Sequence, residues 1–191
     1  MLLLEILASS PLGLSAHRFS FARPIKEHVQ QLFGFTNEQM TDPVLKNTPD
    51  PRRIGADGTP TSPRKAMQLY GTEFGRACEA HIWPRKLMED IEGWRWDLFG
   101  SEVALVTDLR FENEYDVLRT NPNTLLIRMR RGVAEARLDT HASEAGINKP
   151  FDITLDNNGT IAELQACIVC EVLPLLLSET EYEHFKRCHN V

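Results

Sequence analysis

The sequence predicts an α/β fold, with a mainly parallel sheet and helices on both of its faces. Two observations predict it. Four short apolar runs of strand length, His17 to Ala22, Glu102 to Thr107, Thr124 to Met129 and Phe151 to Leu155, alternate with stretches of helical periodicity. The second run stops abruptly at a charged cluster, Asp108, Arg110 and Glu114. Ionisable groups at the carboxyl end of a buried strand sit where open α/β sheets bind their ligands. A chain of 191 residues is long enough for one well-buried core. The expected organisation is one domain over residues 1–177, with a frayed charged tail over 178–191 that Tyr182 and Phe185 would anchor.

Each element has a local reason. Leu2 to Leu7 is apolar, reads as the body of a helix, and is too short to span a membrane. Pro24 suits the first turn of a helix over Ile25 to Phe33. Residues 41–63 hold five of the eleven prolines together with Gly55 and Gly58, which predicts a long substrate-side loop without regular structure. Ser62 as cap and Pro63 in the first turn open a helix over Arg64 to Ala80. After the third strand, Arg128, Arg130 and Arg131 lead into a connection over Gly132 to Asp139. An Asn158-Gly159 turn follows the fourth strand, and Thr160 with Glu163 forms a capping box for a helix over Ile161 to Leu177.

Composition narrows the classes. A formal net charge of -6 argues against a duplex nucleic-acid binder held by bulk electrostatics, while local arginine clusters can still grip phosphates. No secretory leader or membrane span is evident, so a cytoplasmic protein with free thiols is expected. Cys167-x-x-Cys170 followed by His184-x-x-x-Cys188 raises a zinc-dependent binding protein as an alternative. Against it, Ile161, Leu164, Ile168, Val172 and Leu175 repeat at helical spacing through the C-x-x-C, which predicts buried helical thiols and no metal.

Several blocks occur in a fixed order: Phe21-Ala22-Arg23-Pro24-Ile25-Lys26; Ser62-Pro63-Arg64 with Gln68 and Gly71-Thr72-Glu73; Trp83; Asp108-x-Arg110 with Glu114; His141-x-Ser143-Glu144-Ala145-Gly146; and Asp152-x-x-x-Asp156-Asn157-x-Gly159-Thr160. Together they resemble the deoxynucleoside monophosphate kinases of tailed bacteriophages, a branch of the P-loop kinase fold. The resemblance implies a three-layer P-loop kinase-like domain that phosphorylates deoxynucleoside monophosphates with ATP and Mg²⁺. It implies that Lys26, Arg64 and Arg110 hold the acceptor phosphate, and that Gln68, Thr72 and Trp83 line the base and sugar pocket. Asp108 and Glu114 would fix the sugar or a Mg²⁺-bound water, with Asp108, Arg110 and Arg130 nearest the chemistry. Residues 128–144 would form a lid, with Arg128, Arg130 and Arg131 closing over phosphate and His141 and Glu144 as its latch. Asn157, Asn158, Gly159 and Thr160 would form the loop under the adenine. The partners implied are a deoxynucleoside monophosphate and ATP, with no membrane or duplex nucleic acid, and with room for a homodimer.

One departure matters. No G-x-x-x-x-G-K-[S/T] occurs in the sequence. The resemblance places that loop, with the first and central strand, ahead of Leu2 to Leu7, so the expectation is an amino-terminally truncated chain whose turnover depends on the missing loop. The strands ending at Thr107 and Met129 would then either flank a gap or pair directly. A non-catalytic nucleotide-binding or interaction module is the other alternative.

Overall fold

The computed structural model describes residues 2–8, 15–95, 102–132 and 146–189. In chain order the elements are α1 (Leu2–Ala8), β1 (Ser15–Phe19), α2 (Arg23–Phe33), α3 (Asn37–Thr41), a 3₁₀ turn (Leu45–Asn47), β2 (Asp50–Ile54) and β3 (Pro60–Thr61). There follow α4 (Pro63–Gln68), a π-helical stretch (Leu69–Arg76), α5 (Ile82–Arg95), β4 (Glu102–Val106), α6 (Glu112–Arg119), β5 (Ile127–Arg130) and β6 (Ile153–Asp156). The chain closes with α7 (Ile161–Cys167), a second π-helical stretch (Ile168–Val172), α8 (Leu173–Leu176) and α9 (Glu179–His189). No helix among the described residues is long and apolar enough to cross a membrane.

All four expected strands form, and the α/β character holds. β5 and β6 are parallel neighbours in the register Ile127↔Ile153 to Arg130↔Asp156. β1 pairs with β4, and among the described residues no ladder joins β4 to β5. Of the two expected arrangements, a gap between these strands or their direct pairing, direct pairing of β4 with β5 is not seen among the described residues, and the strands stand in two-stranded pairs.

The described chain groups into two compact units. One contains Phe19–Gly93 and Val106–Asp108. Its core is Val29 of α2, Phe35 of the α2–α3 connection, Met40 of α3 and Ala66 of α4. Gly34 ends α2 in the left-handed region at φ 63°, where glycine carries no Cβ penalty. Arg53 donates from its guanidinium to the Phe33 carbonyl at that same helix end, where a cation suits the dipole. The reading of 41–63 as loop is corrected here: β2 and β3 form an antiparallel hairpin with Asp50 opposite Thr61. A two-stranded hairpin has free edges on both sides, so Pro51 and Pro60 cost it no ladder bond that a central strand would need. The buried Asp50 carboxylate fixes the hairpin base by accepting from Arg52 and from Gln39 Nε2 at 3.0 Å, and these bonds hold it well below the usual carboxylate range.

The helix expected over 64–80 also differs. It is α-helical only to Gln68 and then widens into the π-helical stretch, in which Gly71 and Gly75 let neighbouring side chains close onto the backbone. A Cβ on Gly71 would lie 2.9 Å from Ile25 Cδ1, and one on Gly75 would lie 2.3 Å from the Trp83 ring.

The other unit contains Met1–Arg18, Trp94–Leu105 and Leu109–Val191. Ile6 and Leu7 of α1 pack with Leu155 of β6, with Ile168, Val169, Val172 and Leu173, and with Phe185 of α9. The helix through 161–177 forms, but it is π-helical from Ile168 to Val172, immediately ahead of Pro174. Proline has no N–H to continue the α-helical ladder and crowds the preceding turn. The frayed tail is corrected to α9. Ser178 and Glu181 cap it reciprocally, with Ser178 N–H to Glu181 Oε2 at 2.8 Å, and Phe185 is only 2% exposed.

Candidate functional site

Asp108 opens the charged cluster after β4, and in the first unit both of its oxygens are engaged. Oδ2 accepts from the Ser20 hydroxyl at 2.7 Å and the Ala22 N–H at 2.9 Å, and Oδ1 accepts from the Phe21 N–H at 2.9 Å. Three successive residues thus converge on one carboxylate from 86 to 88 positions away in sequence. Ala22 is the cap residue of α2 and has no capping side chain of its own, so Asp108 supplies the cap from a distant strand end. The Ala22 carbonyl in turn accepts from the Lys26 N–H at 2.9 Å, which closes the first turn of α2 around the half-buried Lys26.

In the same unit, Arg64, Gln68 and Thr72 lie four residues apart along α4 and the π-helical stretch, all of them half-buried. An α-helix overshoots by about 40° every four residues, whereas the wider i→i+5 turn undershoots, so the change of helix type brings Thr72 back toward the line of Arg64. This three-residue stripe carries a cation, an amide and a hydroxyl. Trp83, expected to line the pocket, is 5% exposed and donates its indole N–H to the Gly71 carbonyl at 2.7 Å. It supports the stripe from inside the unit.

The second unit holds Arg110 and Glu114. Arg110 is exposed, while Glu114 is 2% exposed and its Oε2 accepts from the Arg110 N–H at 2.9 Å and the Phe111 N–H at 3.1 Å. Those bonds fix the backbone from which Arg110 projects and satisfy donors at the start of α6. In this structure Asp108 and Glu114 both bind backbone amides, the geometry of positioning groups.

The parallel pair β5–β6 brings together the residues that follow its carboxyl ends. The Asn157 N–H donates to the Arg130 carbonyl at 2.7 Å, and the Gly132 N–H donates to Asn158 Oδ1. Thr160 caps α7, with its Oγ1 accepting from the Glu163 N–H at 3.2 Å and its own N–H donating to Glu163 Oε2 at 2.6 Å. The Thr160 N–H and hydroxyl, both donating to the Glu163 carboxylate, pull it below its ordinary pKa. A Cβ on Gly159 would stand 2.2 Å from Glu163 Oε2, so glycine is needed for this closure. Arg130 and Arg131 are exposed at this edge. Arg128 is placed differently. Its guanidinium donates to the Ile147 and Lys149 carbonyls and stacks 4.2 Å above the Phe151 ring, so it holds chain segments together. His141 and Glu144 lie outside the described residues.

Two comparisons bear on this arrangement. The sequence model of the deoxynucleotide monophosphate kinases matches residues 52–168, more than half of the chain. A protein of Acanthamoeba polyphaga mimivirus named "Putative deoxynucleotide monophosphate kinase" is 32% identical over 160 residues, covering 78% of this chain and 79% of that relative. The chain belongs to the deoxynucleotide monophosphate kinase family. No solved structure matches it.

The family match takes in Arg64, Gln68, Thr72, Trp83, Asp108, Arg110, Glu114, Arg128, Arg130 and Asn157–Thr160. Lys26 and the Ser20–Ala22 partners of Asp108 precede it. Sequence reasoning missed Ser20, whose only signal is a small hydroxyl residue just ahead of a helix that lacks a capping side chain. It also missed a support behind the β5–β6 edge. Asp152 accepts from Arg119 at 2.9 and 3.0 Å and from the Leu126 N–H at 2.7 Å, while Tyr115 donates to the Pro150 carbonyl. Burial would raise the Asp152 pKa, but Arg119 and the Leu126 amide hold it below the ordinary value. Cys167 ends α7 and Cys170 lies in the π-helical stretch, so both are helical as the periodicity predicts, but the expected burial is corrected: Cys167 is half-buried and Cys170 exposed. Cys188 is 3.8 Å from His184 on α9, and no three His, Cys, Asp or Glu among the described residues are grouped to hold a metal.

Proposed function

We propose that this member of the family transfers the γ-phosphoryl group of ATP to a deoxynucleoside monophosphate. The observation that carries the proposal is the first unit's helix pair: α2 with Lys26 in its locked first turn, and the packed α4 with its π-helical continuation, which carry Arg64, Gln68 and Thr72 as one stripe. Lys26 and Arg64 supply the charge to hold an acceptor phosphate, with arginine's planar fork suited to two of its oxygens. Gln68 and Thr72 offer both donors and acceptors for a base or sugar. In the other unit, the reading assigns the exposed Arg110 and Arg130 to phosphate charge, and the Asn157–Thr160 turn to the adenine.

The chemistry asks little of a proton-transfer group. An acceptor phosphate oxygen attacks the γ-phosphorus, a new P–O bond forms, the bond to the β,γ-bridging oxygen breaks, and ADP leaves with that electron pair. The second pKa of a phosphate monoester is about 6, so the attacking oxygen is already ionised near neutrality. Catalysis then rests on gathering and screening phosphates, which suits cations better than a free carboxylate. Mg²⁺ enters this reading with ATP as part of the substrate. Asp108 and Glu114 bind backbone amides, and no group of three or more His, Cys, Asp or Glu among the described residues is arranged to hold a resident ion.

A second reading, a nucleotide-binding module without turnover, is favoured by one observation: these 191 residues contain no glycine-rich loop with lysine to cradle the β- and γ-phosphates. Calorimetry with each of the four deoxynucleoside monophosphates, followed by product analysis with Mg·ATP, separates the readings. Binding with formation of the diphosphate supports the kinase. Binding with no diphosphate supports the module, and failure to bind any monophosphate overturns both.

A further inference from the structure

We propose that Asp108 is a positioning residue that presents Lys26 to a phosphate, rather than a group that touches the substrate; this rests on the acceptor-site reading given above. The first turn of α2 contains Arg23 and Lys26 and no acidic residue. Cations are disfavoured at the positive end of a helix, and Ala22 is a poor cap. Left to itself, this turn would fray and its cations would turn toward water. Asp108 counters both tendencies, because it takes the Phe21 and Ala22 amides on separate oxygens and places a negative charge beside the helix end. The path to Lys26 is short: Asp108 holds the Ala22 N–H, and the Ala22 carbonyl holds the Lys26 N–H. The Ser20 bond, at 2.7 Å, orients the carboxylate itself.

The same geometry has a consequence for recognition. With the Phe21 and Ala22 amides taken up by Asp108, an incoming phosphate cannot use them as a main-chain anion nest. It must instead be met by side-chain cations. A site built this way distinguishes a nucleoside monophosphate from the nucleoside by a lysine whose backbone is fixed before the ligand arrives.

The test is a double-mutant cycle with Asp108→Asn and Lys26→Met in the full chain, read by calorimetry with a deoxynucleoside monophosphate and with the matching deoxynucleoside. Far-UV ellipticity and cooperative urea unfolding confirm that each variant is folded. Asparagine keeps one acceptor oxygen but turns an NH₂ group toward a donor, so monophosphate affinity should fall by about tenfold. Nucleoside affinity should stay within about twofold, because the lost grip concerns only the phosphate. Lys26→Met should weaken the monophosphate by at least as much, and the double variant should be no worse than Lys26→Met by more than about twofold. Three results overturn the inference alone: full monophosphate affinity in Asp108→Asn, an equal loss for both ligands, or strict additivity in the cycle. Unchanged binding in Lys26→Met instead overturns the acceptor-site reading, and the inference with it.

Discussion

Gly75 offers a sharp test of how the π-helical stretch is held. An alanine Cβ there would lie 2.3 Å from Cζ2 and 2.9 Å from Cε2 of Trp83, and 3.2 Å from the Tyr70 carbonyl oxygen. Carbon atoms pack at about 3.5 to 4.0 Å, so the indole would have to withdraw by more than about 1 Å. Trp83 is 5% exposed and cannot swing into water without leaving the core. Withdrawal also stretches its 2.7 Å bond to the Gly71 carbonyl. Overpacking costs about 1 to 3 kcal/mol and a weakened buried donor about 1 to 3 kcal/mol more, while the helix gains about 0.5 to 1 kcal/mol from replacing glycine. The net for Gly75→Ala is a loss of about 1 to 5 kcal/mol. Gly71→Ala is the control. Its Cβ would meet Ile25 Cδ1 at 2.9 Å, the far end of a side chain that can rotate away, and the next contact is at 3.7 Å. Its cost should stay below about 1 kcal/mol, because the helix gain offsets the small shift. Urea unfolding followed by both indole fluorescence and far-UV ellipticity measures the two variants. A Gly75→Ala variant as stable as Gly71→Ala, or more so, would refute the packing argument.

Three further outcomes are expected. Phe185→Ala should cost about 3 to 5 kcal/mol by urea unfolding, since the ring is buried in the core; a frayed tail would lose nothing. Arg128→Ala should cost about 2 kcal/mol in the same assay, through two orphaned carbonyls and the lost stacking on Phe151, and Arg128→Lys should not restore it. The Asp152 carboxyl is depressed below its ordinary 3.8, so its stabilising contribution is complete above that pH and lost as the pH falls below it. Asp152→Asn should therefore be less stable near neutrality and should lose less further stability on acidification to about pH 2, and parallel acid-unfolding curves for the two proteins would contradict this.

The strands and the capping box were legible because they are local: apolar runs of fixed length, and Thr160 with Glu163 three residues on. The hairpin over 50–61 was not, since five prolines conceal two strands that have no neighbours to offend and whose fixing group, Asp50, draws Gln39 from another element. α9 was missed for a related reason. Its Ser178-x-x-Glu181 cap is as readable as that of α7, but a short charged segment looks unfinished until Phe185 is seen in the core. The two π-helical stretches cannot be read from period at all, because Gly71 and Gly75 owe their places to Ile25 and Trp83, and Ile168 to Val172 yields to Pro174.

The candidate site shows the same boundary between residue type and partner. A carboxylate beside a strand end is consistent with a base, a metal ligand or a cap, and sequence alone weighs these by analogy. What separates them is the number of lone pairs already engaged and by what. Asp108 accepts three bonds from Ser20, Phe21 and Ala22, and Glu114 accepts two from Arg110 and Phe111, each group serving a segment that carries a cation. Phosphoryl transfer to an already ionised acceptor needs ordered cations more than a base. Carboxylates that order the segments carrying Lys26 and Arg110 are thus consistent with that chemistry.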